Sequence, residues 1–526
     1  MKTICKLFCG LLLFLSTSSY SQQMNCQWLN YCQTGPSYIS DVCVDLNSNS
    51  IALGYFKDIS IQGVSLMSNP LDQFNIFISK MDSSGNLIWL KHVGEGNENI
   101  GKSILADSEG NIIFTGCFTN NITICDTTLL ATSSQGELIV KLDMDGNCLW
   151  KKYIAHNGTV KHIQITLDEN DNIYLVTAGN IIIDGNQYIG ETVIVKFNKY
   201  GQIIWAKSIE IELYSVISIP NNTVIMNSDK LIIGGYYNDT ISFAGISYIP
   251  GLEMSVNPYT GDTTYFSSRE ALIGVVDTSG IEIKAVNITA VGEFSIEALT
   301  TNGSDAIFLS GIYYSDSIEI ADYQLSGGTG FLAEFSDNFD LVEVRNINPI
   351  TVYGATTSNN FTYYSGQDWD YLYINIYDFD CNFIDSIIIG DNNLQPEYPT
   401  SLAKFPDNDI LLGGTYMDEI VIDTLFAPGD PYSNFKMFVT RFNDFFSNLS
   451  ETSIINNPKL YPNPIINNLN VDIENLKYME LYDIRGGLIR GSITDKVINF
   501  YNYDRGIYFL KIYTYNNVIF RKVIKQ

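Results

Sequence analysis

Histidine and carboxylate side chains are the groups in this sequence that could perform acid–base chemistry. The three histidines, His92, His156 and His162, lie beside predicted strand ends, and no serine elbow accompanies them. A nucleophilic mechanism needs a base held against its nucleophile, so the pattern favours solvated turn histidines over catalytic ones. We therefore predict no catalytic residue.

Aspartates recur in turns rather than in one cleft. Asp82, Asp143 and Asp277 occupy equivalent turn positions, where a carboxylate caps backbone N–H groups. Glycoside hydrolysis instead requires a unique pair of carboxylates facing a cleft. We predict no cofactor and no metal site. The alternative is weak calcium binding by oxygen ligands on two turns, formed by Asp143, Asp145, Asp168 and Asp171.

The amino terminus reads as an export signal. Lys2 and Lys6 precede an apolar run over residues 7–15, and Ser19-Tyr20-Ser21 supplies small residues for cleavage between Ser21 and Gln22. The run is too short to span a bilayer, and no later run approaches the roughly 20 apolar residues required. We predict a signal peptide over residues 1–21 and no integral membrane segment.

Cysteine usage predicts at least one unpaired thiol. Two of the nine cysteines lie in the predicted signal, and the odd number that remains cannot all pair. Cys117 and Cys125 flank a predicted hairpin turn at Asn120-Asn121, which makes them one possible disulfide in an oxidising compartment. Cys26 and Cys32 are also close in sequence. No C-x-x-C motif occurs.

Composition and charge exclude several classes of protein. Hydrophobic residues make up 45% of the 526 residues and charged residues 17%, which indicates a folded chain rather than a disordered one. The formal net charge of −28 repels phosphate backbones, so we predict no nucleic-acid binding.

A repeat of about 60 residues organises the body of the chain. The segment that begins at Phe74, FNIFISKMDSSGNLIWLKHVGEG, recurs from Glu137 and from Thr192, with a tryptophan at the same place in each. Alternating apolar residues and polar turns predict four antiparallel strands per copy. Seven landmark glycines mark the copies: Gly54, Gly116, Gly179, Gly235, Gly311, Gly366 and Gly414. Four strands repeated seven times predict an all-β fold, a seven-bladed β-propeller over residues 22–449.

The chain ends are predicted to close the ring. The seventh copy stops at FKMFVTRF without a fourth strand, and Trp28 stands where Trp89 stands in its own copy. The first strand therefore completes the last blade and leaves no open sheet edge between the ends.

Six copies contain an insertion with the pattern I-x-I or I-x-F, and the sixth copy lacks it. We interpret these insertions as hairpins that lengthen one rim, where a ligand is expected. Aromatic residues after the landmark glycines suit sugar stacking there, although strand alternation points half of them inward. They are Tyr236, Tyr237, Tyr313, Tyr314, Tyr363, Tyr364, Trp369 and Tyr416.

The stretch SKMDSSGNLIW, from Ser79 to Trp89, resembles the seven-bladed β-propeller repeat of exported bacterial proteins. Six triplets of Asp, then Ser or Thr, then an apolar residue or Thr also resemble the O-glycosylation sequon of Bacteroidetes, although Asp-Thr before a strand is equally ordinary turn chemistry. The residues at their centres are Thr127, Thr240, Thr263, Ser317, Ser386 and Thr424.

After a linker over residues 450–458, residues 459–526 read as a small C-terminal β-sandwich with more basic than acidic residues. This tail closely resembles the C-terminal sorting domain of the type IX secretion system of Bacteroidetes. The resemblance rests on Tyr461, Pro462, Asn463, Pro464, Gly486, Gly506, Tyr508, Lys522 and Lys525. It implies the type IX secretion machinery as a partner and a secreted or outer-membrane surface location after passage through the periplasm.

The sequence thus predicts an exported β-propeller that binds a glycan or a protein without catalysis, in the manner of an adhesin. Two alternatives stay open: a glycan lyase or hydrolase on the same scaffold, and a structural component of the cell surface.

Overall fold

We describe the protein from a computed structural model. The described residues are 24–525, apart from 70–72, 157–162, 211–223, 228, 257–262, 269, 291–293, 304–305, 315–316, 348–350, 359–360, 368–371, 390–397, 418, 424, 430–433, 445–458, 462–464, 466, 474–475, 483–487, 504 and 515–517. Their regular structure is entirely β-strand. The predicted signal peptide and the linker over residues 450–458 lie outside the described residues.

The chain divides into two compact units, Met1–Asp444 and Phe445–Gln526. The first unit is a seven-bladed β-propeller, which confirms the predicted fold class. Each blade is a four-stranded antiparallel sheet, whose strands are named in order from the innermost outward. Blade 1 contains Ser37–Val44, Ser50–Phe56, Asn75–Met81 and Leu87–Gly96. Blade 2 contains Asn99–Ala106, Ile112–Ile124, Thr127–Leu142 and Cys148–His156. Blade 3 contains Ile163–Leu167, Ile173–Ala178, Thr192–Phe197 and Ile203–Ile209. Blade 4 contains Val224–Asn227, Lys230–Tyr237, Glu270–Asp277 and Glu282–Ala290.

The remaining blades follow the same order. Blade 5 contains Phe294–Thr301, Ala306–Tyr313, Gly330–Ser336 and Leu341–Ile347. Blade 6 contains Thr351–Ser358, Phe361–Gln367, Leu372–Asp378 and Phe383–Ile389. Blade 7 contains Tyr398–Lys404, Ile410–Tyr416, Lys436–Phe442 and, outermost, Cys26–Tyr31. The innermost strands of successive blades contact one another all the way round, so the ring is closed.

The amino-terminal strand closes the ring as predicted. Cys26–Tyr31 pairs antiparallel with Lys436–Phe442, and Trp28 lies opposite Arg441. Blade 7 therefore joins the two ends of the propeller chain in one sheet, and the closure prediction is confirmed.

At four of the seven blade junctions, a tryptophan and a basic residue bind one blade to the next. In blade 2, the indole N–H of Trp150 and the ammonium group of Lys141 both donate to the Lys199 carbonyl, at 3.3 Å and 3.1 Å. That carbonyl lies in a turn of blade 3, where Gly201 has φ +78 and a Cβ would approach Trp150 to 2.9 Å. Three further blade junctions repeat the arrangement, with two side chains donating to one backbone carbonyl. Trp28 and Arg441 donate to the Ser83 carbonyl, Trp89 and Lys80 to that of Met144, and Trp205 and Lys196 to that of Thr278.

The turn aspartates cap backbone groups. Asp82 accepts from the N–H groups of Ser84 and Asn86, at 2.9 Å and 2.8 Å. The Asn86 side chain also donates to Asp82 and lowers the pKa of this carboxyl. Asp143 and Asp277 accept equivalent bonds.

The insertions are hairpins in six blades, but they do not lengthen a rim. They are Asp58–Ile61 with Val64–Met67, the ends of Ile112–Ile124 and Thr127–Leu142, Ile181–Ile183 with Asn186–Tyr188, Ile241–Phe243 with Ile246–Tyr248, Ser317–Ile320 with Tyr323–Ser326, and Ile420–Ile422 with Leu425–Ala427. Blade 4 also contains an unpredicted hairpin, Leu252–Val256 with Thr263–Ser267.

Each hairpin lies along the circumference, against the outermost strand of the preceding blade. The blade 3 hairpin pairs with blade 2 through Ile183 opposite Ile154, and the blade 5 hairpin pairs with blade 4 through Ile320 opposite Ile288. The apolar residues of the I-x-I pattern are buried at these junctions. Burying two large apolar side chains between blades is favourable, which explains why the hairpins fold back rather than project.

The second unit contains two antiparallel sheets. One has the order Lys459–Tyr461, Asn468–Asp472, Val497–Asn499. The other has the order Leu488–Ile493, Leu476–Tyr482, Gly506–Thr514, Val518–Lys525. Both sheets contribute to one core, for instance through Val471, Leu481 and Leu510.

Candidate functional surfaces

The aromatic residues that follow the landmark glycines are interior residues. Tyr236, Tyr237, Tyr313, Tyr363, Tyr364 and Tyr416 are all buried. Five of the six hydroxyl groups bond within the propeller, as when Tyr363 donates to Asp444 at 2.5 Å. The expectation that they stack on sugars is therefore wrong for these six. Tyr314 is 72% exposed, and Trp369 lies outside the described residues.

Exposed aliphatic side chains form a different series on the circumference. In blades 1 to 6, the residue just before the tryptophan position of the outermost strand is apolar and exposed. These residues are Ile88, Leu149, Ile204, Ile283, Val342 and Ile384, with exposed fractions from 38% to 57%. The repeat therefore places an apolar side chain in solvent six times, and we call these residues the aliphatic series. In blades 1 to 3 the sequence contains this signal one position before Trp89, Trp150 and Trp205.

The disulfide joins Cys125 to Cys148, not to Cys117. Residues 120 and 121 form no turn, because the strand Ile112–Ile124 runs through them. Cys117 and Cys125 therefore lie eight residues apart along an extended chain, roughly 26 Å, too far for a disulfide. The turn lies at Cys125 and Asp126, where it meets the start of the outermost strand of blade 2. Cys26, Cys32 and Cys117 have free thiols.

Removing this disulfide should lower the free energy of unfolding by about 3 kcal/mol, because it closes a 23-residue loop in the unfolded chain. The test is urea unfolding of Cys125→Ser/Cys148→Ser, with and without reductant. The reduced wild type should match the double variant, and the variant should not respond to reductant. An equal response of both proteins would contradict the assignment.

Asp41, in the innermost strand of blade 1, ties three blades together beside the axis of the ring. It accepts from the Ser401 hydroxyl of blade 7 at 2.7 Å and from the Ile104 N–H of blade 2 at 2.8 Å. Burial raises its pKa to about 6, and these hydrogen bonds oppose the shift. Its oxygens are held by protein donors, so Asp41 is a structural bridge of the closed ring.

Glu297, in the innermost strand of blade 5, is a buried carboxylate whose pKa is raised. Its side chain is 6% exposed at a register shift of the strand, and the Ser295 hydroxyl donates to it. Burial raises its pKa from 4.5 to about 7. At pH values between 4.5 and about 7, Glu297 is protonated in the folded protein and ionised in the unfolded chain. The free energy of unfolding therefore falls as pH rises through this range.

Glu297→Gln should remove the contribution of this carboxyl to the pH dependence of the unfolding free energy. From pH 4.5 to pH 8, the wild type should lose on the order of 3 kcal/mol relative to the variant, most of it before pH 7. Urea unfolding across this range measures the difference. Glu319→Gln, an exposed site on a hairpin, is the control and should follow the wild type. Parallel profiles for wild type and Glu297→Gln would contradict the prediction.

The histidines do not assemble a catalytic set in the described residues. His156 Nε2 lies 2.6 Å from Glu137 Oε2, and Thr177 of blade 3 donates to the same oxygen at 3.0 Å. His156 is 4% exposed and Glu137 is fully buried, so the pair joins blades 2 and 3 away from solvent. His92 contacts Asn75 at 3.0 Å. His162 lies outside the described residues.

Three of the four aspartates considered for calcium, Asp143, Asp168 and Asp171, accept hydrogen bonds from protein donors. Asp168 accepts from the N–H groups of Asn170 and Asn172 and pairs with Lys196 at 3.3 Å. Asp171 accepts from the Ser108 N–H at 2.9 Å. Within the described ranges, no three His, Cys, Asp or Glu side chains converge as metal ligands. The geometry supports turn capping.

The predicted sorting residues that can be placed belong to one small domain. Gly506 opens a strand, and Tyr508 packs in the core at 5.5 Å from Phe500, centroid to centroid. Lys522 and Lys525 lie opposite Phe509 and Gly506 on the closing strand, and Tyr461 ends a strand of the other sheet. Pro462, Asn463, Pro464 and Gly486 lie outside the described residues, as do Ser21 and Gln22.

The proposed glycosylation residues differ in access. Thr127, Thr240 and Thr263 are exposed, and Ser317 is partly exposed. Ser386 is also partly exposed, and its hydroxyl donates to Asn375 at 2.6 Å. Thr424 lies outside the described residues. Modification at these positions stays a prediction.

Residues 459–526 match the family described as the secretion system C-terminal sorting domain. An uncharacterized WD repeat-containing protein of Acanthamoeba polyphaga mimivirus is 26% identical over 155 residues, covering 26% of this chain and 11% of the relative's length. In the described part of the chain, no helix is long and apolar enough to cross a membrane.

Two solved structures illustrate the structural likeness. The WD40 repeats of RRP9 are 8% identical, with 80% of this chain and 100% of that chain covered and a TM-score of 0.41. The β-propeller domain of the Trilobed protease from Pyrococcus furiosus is 12% identical, with 76% and 99% covered and a TM-score of 0.40.

Proposed function

We propose that this protein, a type IX secretion cargo with a sorting domain at residues 459–526, is a non-catalytic binding module that acts at the cell surface or in the medium. Export is the established part, since this sorting domain marks proteins that the type IX system delivers to these places. Binding, and the class of ligand, are the proposal.

The aliphatic series carries the proposal. The apolar side chains of the aliphatic series are 38% to 57% exposed at one register in six blades, so a large part of their apolar surface lies in solvent. Sugar recognition relies on exposed aromatic faces, and the recurring tyrosines are mostly buried. Aliphatic groups in solvent instead suit the apolar centre of a protein interface. We therefore favour a protein ligand over a glycan.

The test is binding of the full-length purified protein to intact cells, before and after the cells are treated with protease. We expect saturable binding that protease treatment abolishes. A glycan array and a polysaccharide pull-down run alongside, with calcium and with chelator, and a reducing-end assay follows each bound polymer. Binding only to a glycan would replace the protein ligand, and product release would establish the lyase or hydrolase.

A triple substitution in the aliphatic series tests whether these residues form the binding interface. Ile88→Lys/Leu149→Lys/Ile204→Lys should weaken binding to cells at least about tenfold if these residues enter the interface. The control carries the same charge change at exposed turn residues: Leu46→Lys/Met144→Lys/Tyr200→Lys. Equal binding by both triple variants and the wild type would remove the aliphatic series from the interface.

A further inference from the structure

Among the described residues, no hairpin lies at the junction between blades 5 and 6. Gln367 ends the second strand of blade 6 and Leu372 begins the third, so four residues separate the two strands. At the other six junctions a hairpin lies between the neighbouring blades. We call the space beside Leu341–Ile347, the outermost strand of blade 5, the open junction.

The six hairpins show what such a junction accommodates. Each provides two large apolar side chains two positions apart on an extended strand, and none of these side chains is more than 7% exposed. The pairs are Ile59 and Ile61, Ile122 and Ile124, Ile181 and Ile183, Ile241 and Phe243, Ile318 and Ile320, and Ile420 and Ile422.

The receiving residue lies on the outermost strand of the preceding blade. In blades 2 and 4 it is Ile154 and Ile288, which lie opposite Ile183 and Ile320 of the incoming hairpins. The strand registers identify the equivalent residue of every blade. Six of these are buried: Cys32, Gly94, Ile154, Ile209, Ile288 and Ile389. The seventh, Ile347, is only half-buried, and it lies at the open junction.

The outer edge of this strand also has no partner among the described strands. Leu341–Ile347 pairs with Gly330–Ser336 on one side, and no described strand pairs with its other edge. Such an edge is a template for one further strand. Tyr373 of blade 6, which packs at the same junction, is half-buried like Ile347.

We propose that the open junction accepts an extended segment of a partner protein, which adds as a strand to Leu341–Ile347. The segment has aliphatic residues two positions apart, like the hairpins that fill the other junctions, and these residues cover Ile347. Backbone pairing supplies affinity and the two side chains supply selectivity, as in other cases of strand addition. This inference rests on the proposed function and names the chemistry of its ligand.

The probe is a labelled peptide with the sequence of residues 317–326 of this chain, SIEIADYQLS. Its binding to the full-length protein is measured by fluorescence anisotropy. We expect saturable binding, and about tenfold or greater weakening when serine replaces both isoleucines of the peptide. Hydrogen exchange should slow at residues 341–347 when the peptide binds. Absence of binding, or protection confined to another blade, would overturn the proposal.

Two protein variants test the site. Ile347→Lys places a charge under the incoming strand and should abolish peptide binding, whereas Ile189→Lys, the same change at an exposed position of blade 3 outside the aliphatic series, should leave it intact. The second variant replaces residues 368–371 with IIIDGNQYI, the blade 3 hairpin, and should block the peptide by filling the junction from within. Peptide binding to either blocked variant as tightly as to the wild type would overturn the proposal.

The inference and the proposed function can fail separately. If Ile347→Lys binds cells like the wild type, the open junction is not the docking site, although the binding function stands. If the wild type binds the peptide but no cell, the function fails while the junction stands as a strand acceptor. If Ile347→Lys instead converts a dimer into a monomer in sedimentation, the occupant is a second copy and the partner segment is excluded.

Discussion

Removal of residues 459–526 should abolish delivery of the propeller to the cell surface and leave it in the periplasm. The sorting domain is a separate compact unit with its own core, and the propeller closes with a strand from its own amino terminus. The truncated propeller should therefore fold and yet lack the signal that the type IX system reads. Fractionation and protease treatment of intact cells measure its location.

A fusion of the sorting domain to another protein provides the control for this truncation. Residues 445–526 fused behind a fluorescent protein that is itself exported to the periplasm should carry that protein across the outer membrane. Surface display of the truncated propeller at wild-type levels would contradict the assignment of the tail. Failure of the fusion alone would show that the tail is necessary but not sufficient.

Arg441→Leu should cost about 3–5 kcal/mol of unfolding free energy at neutral pH. Arg441 is 7% exposed, and its Nε donates to the buried Asp409 at 2.8 Å. The same guanidinium donates to the Ser83 carbonyl of blade 1 at 2.9 Å, across the junction that closes the ring. The substitution leaves a buried carboxylate without its cation. Urea unfolding measures the loss.

The pH dependence of this loss follows from Asp409. Burial raises the pKa of Asp409, and Arg441 opposes that rise. Without the guanidinium the pKa rises further, so the folded variant gains stability as pH falls and Asp409 takes up a proton. The deficit of Arg441→Leu should therefore shrink on acidification, and Arg441→Leu/Asp409→Leu should recover much of it.

Arg345→Leu is the matched control, because Arg345 is the other arginine of the described propeller. Its side chain is 45% exposed, and it pairs with Glu343 at 3.6 Å. An exposed ion pair contributes at most about 1 kcal/mol. Similar losses for the two arginine variants would contradict the role assigned to Arg441.

Repetition made much of the propeller predictable. Trp89, Trp150 and Trp205 mark the blades because each donates to a turn of the next blade, and this physical requirement preserves their spacing. Trp28 obeys the same requirement at the chain end, which is why the closure could be predicted. The seven landmark glycines predict the number of blades, and the insertion pattern, present in six copies, predicts that the sixth copy lacks the hairpin.

Positions set by contacts between distant strands could not be predicted in the same way. The I-x-I pattern predicts a strand but does not say which sheet it joins, so the hairpins were expected on a rim. The blade 2 hairpin pairs with the outermost strand of blade 1, and its turn also lies beside the outermost strand of its own blade. Only this arrangement brings Cys125 to Cys148. The position of a tyrosine after a landmark glycine does not say whether its side chain is buried or exposed. Only the packing of neighbouring blades decides which of these tyrosines are buried. The exposure of Ile347 appears only when all seven junctions are compared.

Closure by the amino-terminal strand also imposes an order on synthesis and folding. The bonds of this seam join residues more than 400 positions apart, such as Trp28 and Thr440. Contacts between residues near in sequence form sooner than contacts between residues about 400 positions apart. The blades therefore assemble first, and the pairing of Cys26–Tyr31 with Lys436–Phe442 forms last. A chain interrupted before Phe442 cannot complete its seventh sheet. The sorting domain follows that strand in the sequence. A chain long enough to include the sorting domain therefore also includes every strand that closes the propeller.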